Sequence, residues 1–76
     1  MNVRKLKARI LEYFGTQEAF AGAMGMSPFA LSARMTGRVE WSRAEIAKAL
    51  TLLEIPVEET HIYFFADLRA LSHVAE

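Results

Sequence analysis

Apolar residues recur at three- and four-residue steps through the first sixty positions, with polar residues filling the gaps. Val3, Leu6, Ile10, Tyr13 and Phe14 fall on one face of a first helix, and Arg4, Lys5, Arg9 and Glu12 fall mostly on the other. Gly15 can end that helix in a left-handed conformation, and the Thr16 hydroxyl can cap the next one. A second short helix is predicted over Gln17–Met24, with Phe20 and Met24 facing inward. Gly25 then breaks the chain. Ser27-Pro28 restarts it, a capping hydroxyl followed by a proline at the first helical position, where an N–H is not needed. Met26 and Leu31 stand at the two positions of a hydrophobic staple around that start. The third helix runs to about Met35 and closes at Gly37.

The fourth start is the best specified in the chain. Ser42-Arg43-Ala44-Glu45 has the spacing of a capping box, with Trp41 and Ile46 at the staple positions. Ile46, Ala49, Leu50 and Leu53 form the apolar stripe of a helix that must stop before Pro56. One more short helix is predicted from Val57 to about Phe64, with Glu58 and Glu59 favourably placed in its first turn. Ile62-Tyr63-Phe64-Phe65 would also suit a strand, and Phe65–Glu76 reads as either a helix or a tail. The predicted fold class is all-α, a compact bundle of four to five short helices forming one domain over residues 1–76.

Composition narrows the field. A chain of 76 residues that is 53% hydrophobic and 24% charged is not a disordered one. The absence of cysteine excludes a disulfide scaffold and a thiolate metal site. His61 and His73 lack partners at ligand spacing, so neither a metal nor another cofactor is implied. The longest uncharged stretch, Ala19–Ala33, is fifteen residues and contains two glycines and a proline, short of the ~20 apolar residues that a membrane span needs. The charged N-terminus is followed by no apolar run, so no secretory signal is expected and the expected location is the cytoplasm. No nucleophile–base pair, carboxylate dyad or phosphate loop points to an enzyme.

The informative unit is Gln17–Thr36, two short helices around a glycine turn, which fits a helix-turn-helix. Ala21 is small where the helices cross, Gly25 makes the turn, and Phe20, Met24, Met26 and Leu31 supply its apolar seal. Across Phe14–Ala21, Met24–Ser27, Leu31-Ser32, Met35, Gly37 and Glu40-Trp41, the sequence resembles the phage lambda repressor-like helix-turn-helix family. It looks most like small prophage-encoded regulators, over roughly residues 3 to 65. The resemblance implies that Gln17 contacts a phosphate and that the helix beginning at Ser27-Pro28 enters the major groove. It implies a transcriptional regulator whose partner is double-stranded operator DNA.

With Leu31 and Met35 inward, helical geometry turns Pro28, Phe29, Ser32, Ala33 and Thr36 outward, with Arg34 on the flank. That face is poor in hydrogen-bonding groups. Ser32 is its main polar candidate, while Phe29 and Ala33 offer only apolar contact, for example to thymine methyls. The net charge of zero divides into +4 over residues 1–38 and −4 over residues 39–76. Arg34 and Arg38 flank the reading helix, and Arg4, Lys5, Lys7 and Arg9 concentrate on the first one, so the basic half can supply phosphate contacts. One copy would read only a half-site, so a homodimer is expected. Ile62, Tyr63, Phe64 and Phe65 are the candidate dimer contacts, because four adjacent large apolar groups exceed what one small core needs. The alternative is a protein-interaction module, antirepressor- or antitoxin-like, that uses the Phe29 face to bind a protein.

Overall fold

Side-chain caps set four helix starts, three of them at the residues expected from sequence and the first, Asn2, unanticipated. Asn2 Oδ1 accepts the Lys5 N–H at 3.0 Å, Thr16 Oγ1 that of Ala19 at 3.0 Å, and Ser27 Oγ that of Ala30 at 3.0 Å. At the fourth start the capping box is complete. Ser42 Oγ accepts the Glu45 N–H at 3.1 Å, and Glu45 Oε1 accepts the Ser42 N–H at 2.9 Å. Each such cap satisfies a donor that the helix itself leaves unpaired and contributes about 1 kcal/mol.

The computed structural model describes residues 1–65. The helices are α1 (Val3–Phe14), α2 (Gln17–Met24), α3 (Pro28–Met35), α4 (Arg43–Leu52) and α5 (Thr60–Phe64), with a single 3₁₀ turn, Val57–Glu59, leading into α5. The described residues contain no strand, and the chain is a small all-α bundle. The segment predicted as one helix over Val57–Phe64 therefore divides, and Ile62–Phe65 is not a strand. The undecided tail, apart from Phe65, lies outside the described residues, as does His73.

Three helices end in the same way. After α2, α3 and α4 the chain makes paired backbone bonds: Met26 to Ala21 and Gly25 to Gly22; Arg38 to Ala33 and Gly37 to Arg34; Ile55 to Leu50 and Glu54 to Thr51. This is the Schellman closure, which requires a left-handed residue just past the helix. Gly25 and Gly37 supply it with φ of 77° and 84°. After α4 the position is held by Glu54, the one non-glycine with positive φ among the described residues, at 53°. A side chain in that conformation costs about 1–2 kcal/mol. Glu54→Gly is therefore expected to raise stability by about 0.5–1 kcal/mol after the entropy of the more flexible unfolded chain is counted. Thermal melting would register this as a rise of about 3–6 °C.

The packing centres on α2, which lies against α1, α3 and α4, while α1 also lies against α5. Leu6 and Ile10 of α1, Phe20, Ala21 and Met24 of α2, and Leu31 and Met35 of α3 are buried together with Ala49, Leu50, Leu53 and Ile55. Tyr63 and Phe64 complete that core. Two members of the predicted α1 stripe, Val3 and Tyr13, are each 39% exposed, while Phe14 packs against the core. Tyr13 instead stacks under the Arg9 guanidinium, 4.9 Å from the ring centre. No helix among the described residues is long and apolar enough to cross a membrane.

Candidate nucleic-acid interface

The turn between α2 and α3 follows from three adjacent choices: left-handed Gly25, half-buried Met26 packed against the core, and the Ser27 cap before Pro28. Leu31 and Met35 anchor the inner face of α3, at 1% and 4% exposure. On the outer face, Pro28, Phe29, Ser32 and Thr36 are exposed. Ser27 accepts the Ala30 N–H and keeps its own hydroxyl proton to donate. Gln17, half-buried, occupies the first position of α2 beside the Thr16 cap.

One expected member of this face is placed differently. Ala33 is not left exposed; it is buried, though apart from the main apolar cluster. The Schellman closure of α3 explains this, because it folds the chain back so that the Arg38 and Val39 N–H groups both reach the Ala33 carbonyl, at 2.9 and 3.1 Å. Such closures bring the residue after the turn against the last turn of the helix. Here that residue is Arg38, whose guanidinium rests 6.0 Å from the centre of the Phe29 ring, one helical turn before Ala33. The Thr36 hydroxyl is also engaged, donating to the Ala33 carbonyl at 3.2 Å.

Arg34 is committed within the protein rather than free on the flank. Its Nε and Nη2 donate to the two carboxylate oxygens of Glu45 at 2.9 and 3.1 Å, and its Nη1 donates to the Ala30 carbonyl at 3.0 Å. The forked guanidinium matches the carboxylate plane, which makes the pair directional. Glu45 thus holds both the start of α4 and the end of α3. The bond from Arg34, then that from the Ser42 N–H, keeps the Glu45 carboxyl below the usual carboxylate range, and the same pair pushes the Arg34 guanidinium up.

The depressed carboxyl sets a direction with pH. Its contribution is complete above the unfolded-state value of about 4.3 and is lost as pH falls through the lower folded-state value. The melting-temperature difference between the native chain and Glu45→Gln is expected to shrink as pH is lowered from neutrality into that acid window. A difference that stays constant would show that the Glu45 charge contributes nothing.

The remaining charges separate into committed and free. Arg9 donates from Nε to the Leu53 carbonyl at 2.9 Å and from Nη2 to the Glu54 carbonyl at 2.7 Å, tying α1 to the end of α4. Lys5 lies 5.7 Å from the centre of the Tyr63 ring, and the Asn2 N–H reaches the Tyr63 carbonyl at 3.2 Å, so the basic start of α1 adjoins α5. Arg4, Lys5 and Lys7 are exposed there, and Arg38 is the exposed cation that stays with α3.

The proposed dimer cluster is mostly internal. Tyr63 and Phe64 are buried at 3% and 6%, Ile62 is half-buried against the core, and Phe65 alone is exposed, at 39%. One turn of helix directs Tyr63 to α1 and Phe64 to Trp41, whose ring it meets edge-on at 5.1 Å and 77°. These pairings across the bundle absorb the apolar excess that the local sequence displays.

Residues 1–67 match the family described as "Protein of unknown function (DUF739)". The chain belongs to the DUF739 family. Among the described residues of this DUF739 chain, the matched region takes in the five helices and the α2–turn–α3 unit in full. No curated protein matches it.

Proposed function

We propose that the chain is a DNA-binding transcriptional regulator of the phage lambda repressor-like helix-turn-helix type, reading a major-groove half-site with α3. The observation that carries this reading is the division of α3: Leu31 and Met35 fix one face, while Pro28, Phe29 and Ser32 stand exposed on the other. Gln17 and Ser27, at the starts of α2 and α3, suit phosphate contacts, because helix starts present N–H groups and positive potential. Arg38 adds a cation beside them. Two copies on a palindromic operator would join two half-sites, with Phe65 and Ile62 the members of the apolar cluster left to meet a partner.

An electrophoretic mobility shift with the DNA upstream of the chain's own coding sequence, at about 50 and about 200 mM salt, tests the reading. A specific shift that weakens with salt is expected. Absence of any shift at the lower salt would overturn it. The 73% exposure of Phe29 also favours the second reading, a protein-interaction module. Phe29→Ala separates the two: it should relax base preference if the partner is DNA. If the partner is a protein, it should abolish capture of that protein and leave any DNA binding unchanged.

A further inference from the structure

The outer face of α3 is unusual in what it lacks. Helices that read the major groove do so mainly with arginine, lysine, asparagine or glutamine, whose paired donors and acceptors match base edges. The α3 sequence, PFALSARM, contains one such residue, Arg34, and its guanidinium is held by Glu45 and by the Ala30 carbonyl. Thr36, just past the helix, has its hydroxyl on the Ala33 carbonyl, and Ala33 is covered. What α3 can present to a base edge is the ring of Phe29 and the hydroxyl of Ser32.

The major groove offers one apolar feature to such a surface, the 5-methyl group of thymine. We propose that Phe29 is the specificity-determining residue of α3 and recognises a thymine methyl, with Ser32 meeting the adjacent base pair. The inference rests on the DNA-reading role proposed above. Three residues of helix advance ~4.5 Å, a little more than one ~3.4 Å base step, which gives the two side chains neighbouring pairs. Arg38 is the positioning residue: its guanidinium at 6.0 Å from the ring centre is within cation–π range, so it restrains the ring and keeps a positive charge beside it for the phosphate backbone.

The test begins with duplexes selected from a random pool by the intact chain. Each thymine of the selected site is then replaced in turn by uracil, which removes the methyl group and keeps the pairing. Binding is measured for the native chain, Phe29→Ala and Arg38→Ala. One thymine in each half-site should lose about four-fold in affinity when replaced, the worth of one buried methyl. That loss should vanish in Phe29→Ala and diminish in Arg38→Ala. Phe29 lies outside the core, and matching thermal melts would show that its variant still folds. If a sequence is selected but no uracil replacement weakens binding, the methyl-reading role is overturned while DNA reading stands. If no sequence is enriched over the starting pool, both fall.

Discussion

Phe20→Ala is expected to leave much of the protein unfolded at 37 °C. Phe20 is fully buried on α2, the helix that lies against three others, and its ring packs on Phe14 at 5.2 Å. Removing a buried phenylalanine costs about 3–5 kcal/mol, the sum of lost transfer energy and the cavity left behind. A chain of this length has a total stability of roughly 4–11 kcal/mol. The substitution therefore consumes much of what holds the bundle together, and a fall in melting temperature of at least about 12 °C should follow. Urea titration gives the same quantity independently through the midpoint. A loss below about 1 kcal/mol would mean that α2 is not the enclosed centre of the bundle.

Arg9→Ala should have the second-largest effect, about 1–2 kcal/mol. The guanidinium donates to two carbonyls at the end of α4, where backbone acceptors have no partner within the helix. It also covers the Tyr13 ring, so part of the loss is packing. Arg9→Lys keeps the charge but not the fork that reaches two acceptors together, and it is expected to recover less than half of the loss. Arg4→Ala, at an exposed position of the same helix, should change stability by less than about 0.5 kcal/mol. Equal effects at positions 4 and 9 would remove the case for a link between α1 and α4.

These two residues mark where sequence suffices and where it does not. Phe20 was legible because helical periodicity and the flanking cap and turn residues act over a few positions. The same short range made Thr16, Ser27, Ser42 and Glu45 recognisable as caps and the α1–α4 boundaries recognisable as breaks. Arg9 was not legible: its acceptors lie 44 and 45 residues away, and nothing near it in the chain distinguishes it from Lys5 or Lys7. Arg34 shares this difficulty, since its partner belongs to another helix. Tyr63 and Phe64 looked surplus to a small core until α1 and Trp41 were placed against them.

The burial of Ala33 has a local signal in the sequence. Gly37 marks a left-handed stop, and a Schellman closure counted back from it makes residue 33 the one that the returning chain covers. Helical phase alone turned it outward.

The covered alanine also constrains how this surface can change over evolutionary time. Positions 28, 29 and 32 are exposed, so substitutions there can retune the outer face of α3 at little thermodynamic penalty. Position 33 lies beneath the returning chain, where a bulky residue would press on Arg38 and, through it, on the ring of Phe29. The turn that ends α3 therefore divides its surface into positions open to replacement and one that tolerates only a small side chain.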